Sequence, residues 1–250
     1  MTRFKDHFSS LAAQYAQARP QYPASLFEYL ASLCVSRQRA WDCACGNGQA
    51  TVALLKHFEC VVATDASAQQ IAEAVPHARI EYRVAPAECC GLDACTMDLV
   101  TVAQSLHWFD LEKFYAEARR VLRPSGVLAV WCYGIQHMDD PQVDEVVQHF
   151  YRDVVGPFWP SERALVESGY RSLPFPFVEQ SAPAFTLQGQ WALPRLLGYF
   201  RSWSATGRYV KERGVDPVVE LAANLAPLWG DPGQPRLICW PLGLRVGSAH

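Results

Sequence analysis

Short apolar runs and longer amphipathic segments alternate through the middle of the chain. Four runs are almost continuously apolar or β-branched: residues 40–44, 60–64, 98–103 and 127–131. Runs of this length and composition are typical of parallel strands that are covered on both faces of a sheet. Residues 80–84 alternate between apolar and polar positions instead, which predicts a strand at the edge of that sheet.

Three segments between these runs repeat apolar residues at helical spacing. They cover residues 49–58, residues 67–75 and residues 111–122, and the second of them begins with the N-capping Ser67. Strands that alternate with helices favour βαβ units, so we expect an α/β fold with a parallel, doubly wound sheet. Each segment has one face that is predicted to be buried. These faces consist of Val52, Leu55 and Phe58 in the first segment, Ile71, Ala72 and Val75 in the second, and Phe114, Tyr115, Ala118, Val121 and Leu122 in the third.

The pattern divides the chain into four parts of a single domain. Residues 1–38 have helical patterns broken by prolines, and we expect a lid. Residues 39–135 hold the alternating core, residues 136–235 a cap with a returning strand, and residues 236–250 the last strand. No internal repeat or low-complexity linker interrupts the chain, so one domain with a cap is favoured over two domains.

The predicted cap is rich in aromatic residues. Thirteen of them lie between Phe150 and Tyr209, with several prolines among them. Aromatic side chains supply large buried areas, so four residues are predicted to form the core of the cap and to line a ligand pocket in part: Phe158, Trp159, Tyr199 and Trp203.

Composition and charge exclude several classes of function. The 250 residues carry a net charge of −3 without any lysine- or arginine-rich run, which argues against a nucleic-acid substrate. No apolar stretch is long enough to cross a membrane, and the first residues do not resemble a signal peptide. The nine cysteines include no C-x-x-C pair, so we expect reduced thiols, no metal site and a cytoplasmic protein.

Two glycines follow the first predicted strand and precede a predicted helix. Gly46 and Gly48 allow the backbone to approach a ligand or to adopt positive φ. The helix that follows would present free N–H groups to an anionic or polar ligand. Asp65 ends the next strand, where an acidic residue can accept hydrogen bonds from both hydroxyls of a ribose.

A dinucleotide-binding turn would read G-x-G-x-x-G. From Gly46 onward the chain reads G-x-G-x-x-T, because Thr51 replaces the glycine that packs the helix against the strand. An NAD(P)-dependent oxidoreductase therefore remains an alternative with one motif residue missing. A non-catalytic protein that retains the same fold as a binding module is the second alternative.

Further segments extend the pattern beyond the glycine turn. A tyrosine and an arginine four residues apart, Tyr15 and Arg19, precede Pro20, and the segment RSWS lies at 201–204. Between these flanks the chain contains, in order, DCACGNG at 42–48, VATDAS at 62–67, APAE at 85–88, AQSLHWFD at 103–110 and VLRPSGV at 121–127.

This ordered set resembles the class I S-adenosylmethionine-dependent methyltransferases of the small-molecule type, close to the trans-aconitate methyltransferase-like group. The resemblance covers nearly the whole chain. It implies a Rossmann-like three-layer sandwich with a seven-stranded sheet whose last strand is antiparallel. It departs from the family at Ala44, where the first glycine of the motif usually stands. Alanine is tolerated there if the backbone is in the β region. The substitution nevertheless puts in doubt how closely the methionine end of the cofactor approaches the backbone at this residue.

The resemblance also implies a role for each candidate binding residue. Asp65 and its neighbour Ala66 belong to the ribose motif, and Asp42 orders the glycine turn. Gly46 and Gly48 admit the methionine portion, and Ala44 lies beside it. The remaining candidates are Ala87 and Glu88 beside the adenine, Gln104 under the sulfonium end, and Tyr15 with Arg19 on one face of the N-terminal helix. Arg19 either pairs with the methionine carboxylate or is a solvated surface arginine.

His107 is the candidate catalytic residue. It follows the fourth strand at the carboxyl edge of the sheet, where open α/β sheets bind ligands. It can orient the methyl acceptor or take its proton, or it can be a structural histidine with a satisfied partner. The neighbouring Trp108 is interpreted as core or pocket wall. The expected acceptor is a small molecule, with a carboxylate among the candidates, whereas the acceptor atom and the oligomeric state stay open.

Overall fold

The computed structural model describes residues 20–248, and these form one sheet with helices on both of its faces. In chain order the strands are β1 Arg39–Cys43, β2 Cys60–Asp65, β3 Ile80–Val84, β4 Met97–Ala103, β5 Leu122–Tyr133, β6 His137–Met138, β7 Val178–Gln180, β8 Phe185–Trp191 and β9 Arg236–Ser248. The helices are α1 Ala24–Ser32, α2 Gln49–Leu54, α3 Ala68–Ala72, α4 Leu111–Val121, α5 Pro141–His149, α6 Arg163–Glu167, α7 Leu193–Arg201, α8 Ser204–Arg213 and α9 Pro217–Trp229. A π-helical turn at Phe150–Val154 and 3₁₀ turns at Leu106–Trp108 and Gly156–Phe158 complete the secondary structure of this part.

The strands β3, β2, β1, β4 and β5 lie side by side in that order and are all parallel. β9 then pairs with β5 in the antiparallel direction. The predicted Rossmann-like α/β sheet with an antiparallel last strand is therefore confirmed. The strand count of seven is wrong for the described residues, which contain nine strands, because the short strands β6, β7 and β8 also pair with β9.

Two apolar clusters cover the two faces of the sheet, which confirms the three-layer arrangement. Alternate residues of each strand point to opposite faces, as the pleat requires. Trp41 packs with Phe114 of α4 on one face, whereas Ala40 packs with Leu26 and Phe27 of α1 on the other. Both faces are thus closed to water, in agreement with the continuous apolar runs in the sequence.

A third apolar cluster lies in the cap, between β8, the first half of β9 and helices α5, α7 and α9. Tyr199 is buried there, and the other three aromatic residues predicted for this core, Phe158, Trp159 and Trp203, are partly buried against it. β9 is one continuous strand of 13 residues at the position predicted for the last strand. Its second half pairs with β5 and its first half with β8, so it belongs to both the sheet and the cap.

Two predicted helices depart from the prediction to different extents. In the first, Leu55 and Phe58 are buried as predicted, but Val52 is 44% exposed. The residues that α2 itself buries are Ala50, Thr51 and Leu54. The helix predicted for 67–75 has only five residues, which start after the Ser67 cap, and none of them is buried. It lies beside the edge strand β3, where Val75 remains exposed to solvent.

Candidate functional site

The strand order changes direction between β1 and β4. β1 connects through α2 to β2 on one side, while β4 lies on its other side with Cys43 opposite Val102. Loops that leave the carboxyl ends of two such strands run in opposite directions and open a crevice, which is where ligands bind in sheets of this type. The glycine turn after β1 and Gln104 after β4 border this crevice.

The glycine turn has left-handed backbone at three positions. Ala44 has φ 55°, Gly46 has φ 57° and Gly48 has φ 89°. The extended conformation under which alanine would be tolerated at position 44 is therefore not the one adopted, and Ala44 occupies a region that costs an L-residue about 1–2 kcal/mol. At Gly48 a Cβ atom would also lie 2.6 Å from the hydroxyl oxygen of Tyr82.

Asp65 connects the glycine turn to the end of β2. Its carboxylate accepts hydrogen bonds from the backbone N–H of Gly46 at 2.9 Å and of Ser67 at 2.8 Å. The two motifs that the sequence predicted separately are thus joined through one side chain. A carboxylate has about four acceptor positions, so it can serve these amides and the hydroxyls of a ligand together.

Asp42 lies at the end of β1 and is completely buried. Its two oxygens accept the hydroxyl groups of Thr51 at 2.6 Å and Thr101 at 2.8 Å. Burial raises the pKa of Asp42 to about 6, against the lowering effect of both hydrogen bonds. Thr51 occupies the third glycine position of a dinucleotide-binding turn and here anchors α2 to the strand. The sequence did not identify this role, although a threonine in place of that glycine was its visible signal.

The segment predicted to border the adenine begins directly beside Asp65. The backbone N–H of Ala85 donates to the carbonyl of Asp65 at 3.0 Å. Ala87 is buried in the core, whereas Ala66 is exposed. Glu88 accepts the backbone N–H of Asp110 at 2.9 Å, so its carboxylate connects this segment to the start of α4.

Gln104 has an unusual backbone and an unsatisfied side chain. Its φ is 64°, and its own N–H donates to Trp131 at 2.9 Å. Its amide Nε2 is buried and has no hydrogen-bond partner among the residues that the structure describes. Strained backbone and unpaired buried donors are uncommon and concentrate at functional sites.

A cavity of about 120 Å³ lies beyond Gln104, between the carboxyl edge of the sheet and the cap. Trp108 is 41% exposed at this cavity, so it belongs to the pocket wall and not to the core. Besides Gln104, the polar wall includes His107, Glu162, Arg163, Ser202 and Ser204. Its aromatic wall consists of Trp108, Tyr133, Trp159, Tyr199 and Trp203.

His107 lies on the wall of this cavity, in the 3₁₀ turn after β4. Its Nδ1 is 2.9 Å from the hydroxyl oxygen of the buried Tyr170. Burial and, to a smaller extent, the nearby charge of Arg163 lower the pKa of His107 to about 4. The imidazole is therefore neutral at physiological pH. Tyr170 was not singled out in the sequence, because it is distant in the chain and carries no motif.

A second recess, with a volume of about 470 Å³, lies at the opposite edge of the sheet. It is open, and residues that precede β1, β2 and β3 line it: Gln38, Glu59 and Arg79. Although it is larger, it is remote from the crevice at the carboxyl edge, so the candidate ligand site comprises the aromatic cavity and the glycine turn.

Some sequence predictions fall outside the part that the structure describes. Tyr15 and Arg19 lie in residues 1–19, so their roles stay predictions. Within residues 20–248, no cluster of three or more histidine, cysteine, aspartate or glutamate side chains is arranged to hold a metal ion. No helix in this part is both long enough and apolar enough to cross a membrane.

Known proteins show the same architecture over most of the chain. The family model of the methyltransferase domain matches residues 41–130. A protein of Dictyostelium discoideum assigned to the methyltransferases is 33% identical over 227 residues, which cover 90% of this chain and 86% of that protein. The structure of a protein from Anaeromyxobacter dehalogenans, assigned as a type II methyltransferase, has a TM-score of 0.88 at 44% identity and covers 92% of this chain and 98% of its own. A Saccharomyces cerevisiae protein assigned as an S-adenosylmethionine-dependent methyltransferase is 30% identical over 131 residues, 49% of this chain and 45% of that protein.

The sheet order and the antiparallel last strand define a Rossmann-like α/β fold, and Asp65 ends β2 where such folds place the acidic residue that recognises a ribose. The relatives specify the family: the chain belongs to the class I S-adenosylmethionine-dependent methyltransferases. It is therefore an enzyme of that family, and the two alternatives, the oxidoreductase and the non-catalytic module, are set aside.

Proposed function

We propose that this protein transfers a methyl group from S-adenosylmethionine to a small, partly apolar molecule, and that a carboxylate of this molecule is the nucleophile. The observation that carries the proposal is the aromatic cavity beside Gln104, at the edge of the sheet where the glycine turn and Asp65 also lie. These features would hold the cofactor and the acceptor on neighbouring sides of one crevice.

The residues at the crevice fit the cofactor. Asp65 presents acceptors to the two ribose hydroxyls. At Gly46, a Cβ atom would have only the side-chain oxygen of Gln70 within 4 Å among the described residues, at 3.5 Å. The unpaired Nε2 of Gln104 is a donor that an oxygen of the ligand would satisfy. When bound, S-adenosylmethionine supplies a methyl group already activated on a sulfonium, so the protein has to position the reactants and exclude water.

The dimensions of the cavity favour a small acceptor. An engineered cavity of roughly 150 Å³ is sufficient for benzene, so a volume of about 120 Å³ admits a group of similar or smaller size. The aromatic side chains of the wall bind an apolar body, while its polar and charged side chains orient it. A folded protein or a nucleic acid would not enter such a space.

His107 supports a carboxylate as the acceptor group. A general base is most effective when its pKa lies near the working pH, whereas the pKa of His107 is about 4. A phenol or an ammonium group would need a stronger base to lose its proton. A carboxylate is already ionised, so it can attack the methyl group without proton transfer. We therefore propose that His107 orients the acceptor and does not deprotonate it.

We also propose that the N-terminal residues, including Tyr15 and Arg19, close over the cofactor. The four-part division of the single domain and the cytoplasmic location stay predictions. Asp42, Ala44, Gly48, Ala66, Ala87 and Glu88 keep the cofactor-site roles that the family resemblance implies for them.

Two measurements test the proposed function. Native mass spectrometry of the purified protein should detect added S-adenosylmethionine or S-adenosylhomocysteine at one equivalent. A panel of small carboxylic acids, phenols and amines, scored by release of S-adenosylhomocysteine, should show turnover mainly with acids. Turnover with a protein or an RNA alone would contradict the small-molecule proposal, and turnover confined to phenols or amines would contradict the carboxylate.

A further inference from the structure

Arg163 is a cation of the cavity wall that lies against two aromatic rings. Its guanidinium carbon lies 4.7 Å from the ring centre of Trp159 and 5.3 Å from that of Tyr151. Only 21% of the side chain is exposed. Contacts of this kind hold a guanidinium in one orientation and leave its edge available for hydrogen bonds.

One nitrogen of Arg163 is fixed by a short relay of hydrogen bonds. Its Nε donates to the hydroxyl oxygen of Tyr151 at 2.6 Å, and this hydroxyl donates in turn to the carboxylate of Glu167. The nearest approach of Arg163 to Glu167 itself is 3.8 Å, from Nε. The two terminal nitrogens of Arg163 have no hydrogen-bond partner within residues 20–248. Tyr151 therefore orients the guanidinium without using the part that binds anions.

Tyr151 itself owes its position to an irregular piece of backbone. It lies in the π-helical turn Phe150–Val154, which continues α5. Such turns are rare and occur frequently at functional sites. The ring of Tyr151 also packs against Trp159 and Trp203, with ring centres 5.4 Å and 5.6 Å away. The turn thus connects Arg163 to the aromatic wall of the cavity.

Two further polar groups of the cavity wall are buried donors. Trp159 has a buried indole N–H without a hydrogen-bond partner in the described part of the chain, as does the side-chain amide of Gln104. Glu162 is the single carboxylate on the cavity wall among these residues, and its Oε2 accepts the hydroxyl of Ser161 at 3.2 Å. A ligand with anionic oxygen atoms would accept hydrogen bonds from these unpaired donors and pair with the adjacent cation.

We propose that Arg163 is a specificity-determining residue of the acceptor pocket, whose two terminal nitrogens bind an anionic carboxylate of the methyl acceptor, and that Tyr151 is its positioning residue. This inference rests on the proposed function. The carboxylate held by Arg163 is not the group that is methylated. A carboxylate loses its negative charge as it takes up the methyl group, so a cation paired with it would oppose the reaction.

Benzoate and its neutral analogue benzamide distinguish charge recognition from simple filling of the cavity. Titration calorimetry of the full chain should give at least a tenfold weaker benzoate affinity for Arg163→Gln, while the benzamide affinity changes less than twofold. Arg163→Lys should lose part of the affinity, because a lysine cannot form two parallel hydrogen bonds. Arg195→Gln is the matched control, since Arg195 lies 4.4 Å from the ring centre of Trp191 outside the cavity.

The role of Tyr151 requires a separate readout. Tyr151→Phe keeps the ring and removes the hydroxyl, so it should weaken benzoate binding at least threefold and leave benzamide binding unchanged. In the unmodified protein, benzoate should also raise the pKa of His107 in an NMR titration, because it offsets the charge of Arg163. Failure of benzoate to bind, equal benzoate affinity in Arg163→Gln, or parallel losses for both probes would overturn the proposal. S-adenosylmethionine affinity, measured in the same samples, reports separately on the proposed function.

Discussion

The hydroxyl of Thr51 donates to the buried carboxylate of Asp42 across 2.6 Å, and this contact anchors α2 to the end of β1. Thr101 donates to the other oxygen from β4. One carboxylate therefore joins both sides of the crevice between β1 and β4. Because Asp42 is completely buried, its protonation state affects the stability of the fold as well as the geometry of the glycine turn.

Asp42 predicts a specific dependence of stability on pH. Its pKa rises from 3.8 in the unfolded chain to about 6 in the fold, mainly through burial. The folded state therefore binds the proton more tightly, and this contribution to stability is lost as the pH rises from about 4 to about 6. The full loss corresponds to about 3 kcal/mol. The free energy of unfolding of Asp42→Asn, relative to that of the unmodified protein, should therefore be higher at pH 7.5 than at pH 4.5. Urea denaturation at the two pH values measures this difference.

The exposed Asp93 provides the control for this measurement. Asp93→Asn should follow the unmodified protein at both pH values. If Asp42→Asn and the unmodified protein lose the same stability between the two pH values, Asp42 does not titrate as its burial requires.

Ala44 predicts a stabilising substitution. Its left-handed φ of 55° is strained for alanine and unstrained for glycine, so Ala44→Gly should raise the free energy of unfolding by about 1 kcal/mol. Ala116→Gly is the control, because Ala116 is an exposed residue inside α4 where glycine costs about 1 kcal/mol. Thermal unfolding of both variants measures the two effects. A loss of stability in Ala44→Gly would contradict the strain.

Asp65 predicts the main loss of cofactor affinity. Asp65→Ala removes a charged acceptor from the ribose site, which should weaken S-adenosylmethionine binding by about 1.5–3 kcal/mol in titration calorimetry. The same substitution leaves the N–H groups of Gly46 and Ser67 unpaired, so circular dichroism must first show that the variant is folded. Asp93→Ala should bind normally. Unchanged affinity in a folded Asp65→Ala would remove this residue from the site.

His107 predicts a flat pH profile. With a pKa of about 4 it stays neutral between pH 6 and 8, so kcat with a carboxylate acceptor should not follow a histidine titration in that range. His107→Gln should retain kcat within about tenfold, because the reaction uses no general base, whose removal would typically cost 10²–10⁴-fold. A larger fall in kcat, or a profile with a midpoint near pH 6.5, would assign it the role of general base.

The first 19 residues should affect cofactor binding more than folding. The proposed lid closes over the cofactor, whereas Tyr22, whose ring centre lies 5.6 Å from that of Trp131, already packs against an apolar cluster of the sheet. Deletion of residues 1–19 should therefore leave a folded protein with weaker S-adenosylmethionine binding, measured by circular dichroism and calorimetry. An unfolded product would make the segment part of the core. A folded product with full affinity would contradict the lid.

The sequence predicted those parts of the structure that local patterns determine. The parallel strands are continuous apolar runs, and the glycine turn and Asp65 have a recognisable spacing along the chain. Ala44 shows one limit of prediction from the sequence, because a residue type alone does not determine the sign of φ when neighbouring hydrogen bonds shape the turn. Val52 shows another, since the hydrogen bond from Thr51 to Asp42 selects the buried face of α2 over the apolar pattern.

The acceptor pocket was much harder to predict residue by residue. The aromatic content of the cap indicated a pocket, yet the contacts of Arg163 with Tyr151 and of His107 with Tyr170 join segments that carry no motif. The second contact spans 63 residues along the chain. Such pairings depend on how the cap folds over the sheet, and periodicity contains no information about that.

The length of β9 has a consequence for how the protein is made. β9 pairs with β5 in the sheet and with β8 in the cap, so the two halves of the enzyme share their last strand. During synthesis, β1 to β5 can pair as soon as they leave the ribosome, but neither the edge of the sheet nor the cap is complete until residues 236–248 emerge. We therefore expect the nascent chain to expose the open edge of β5 until residues 236–248 have been synthesised, and a ribosome stalled before Arg236 to hold an aggregation-prone intermediate.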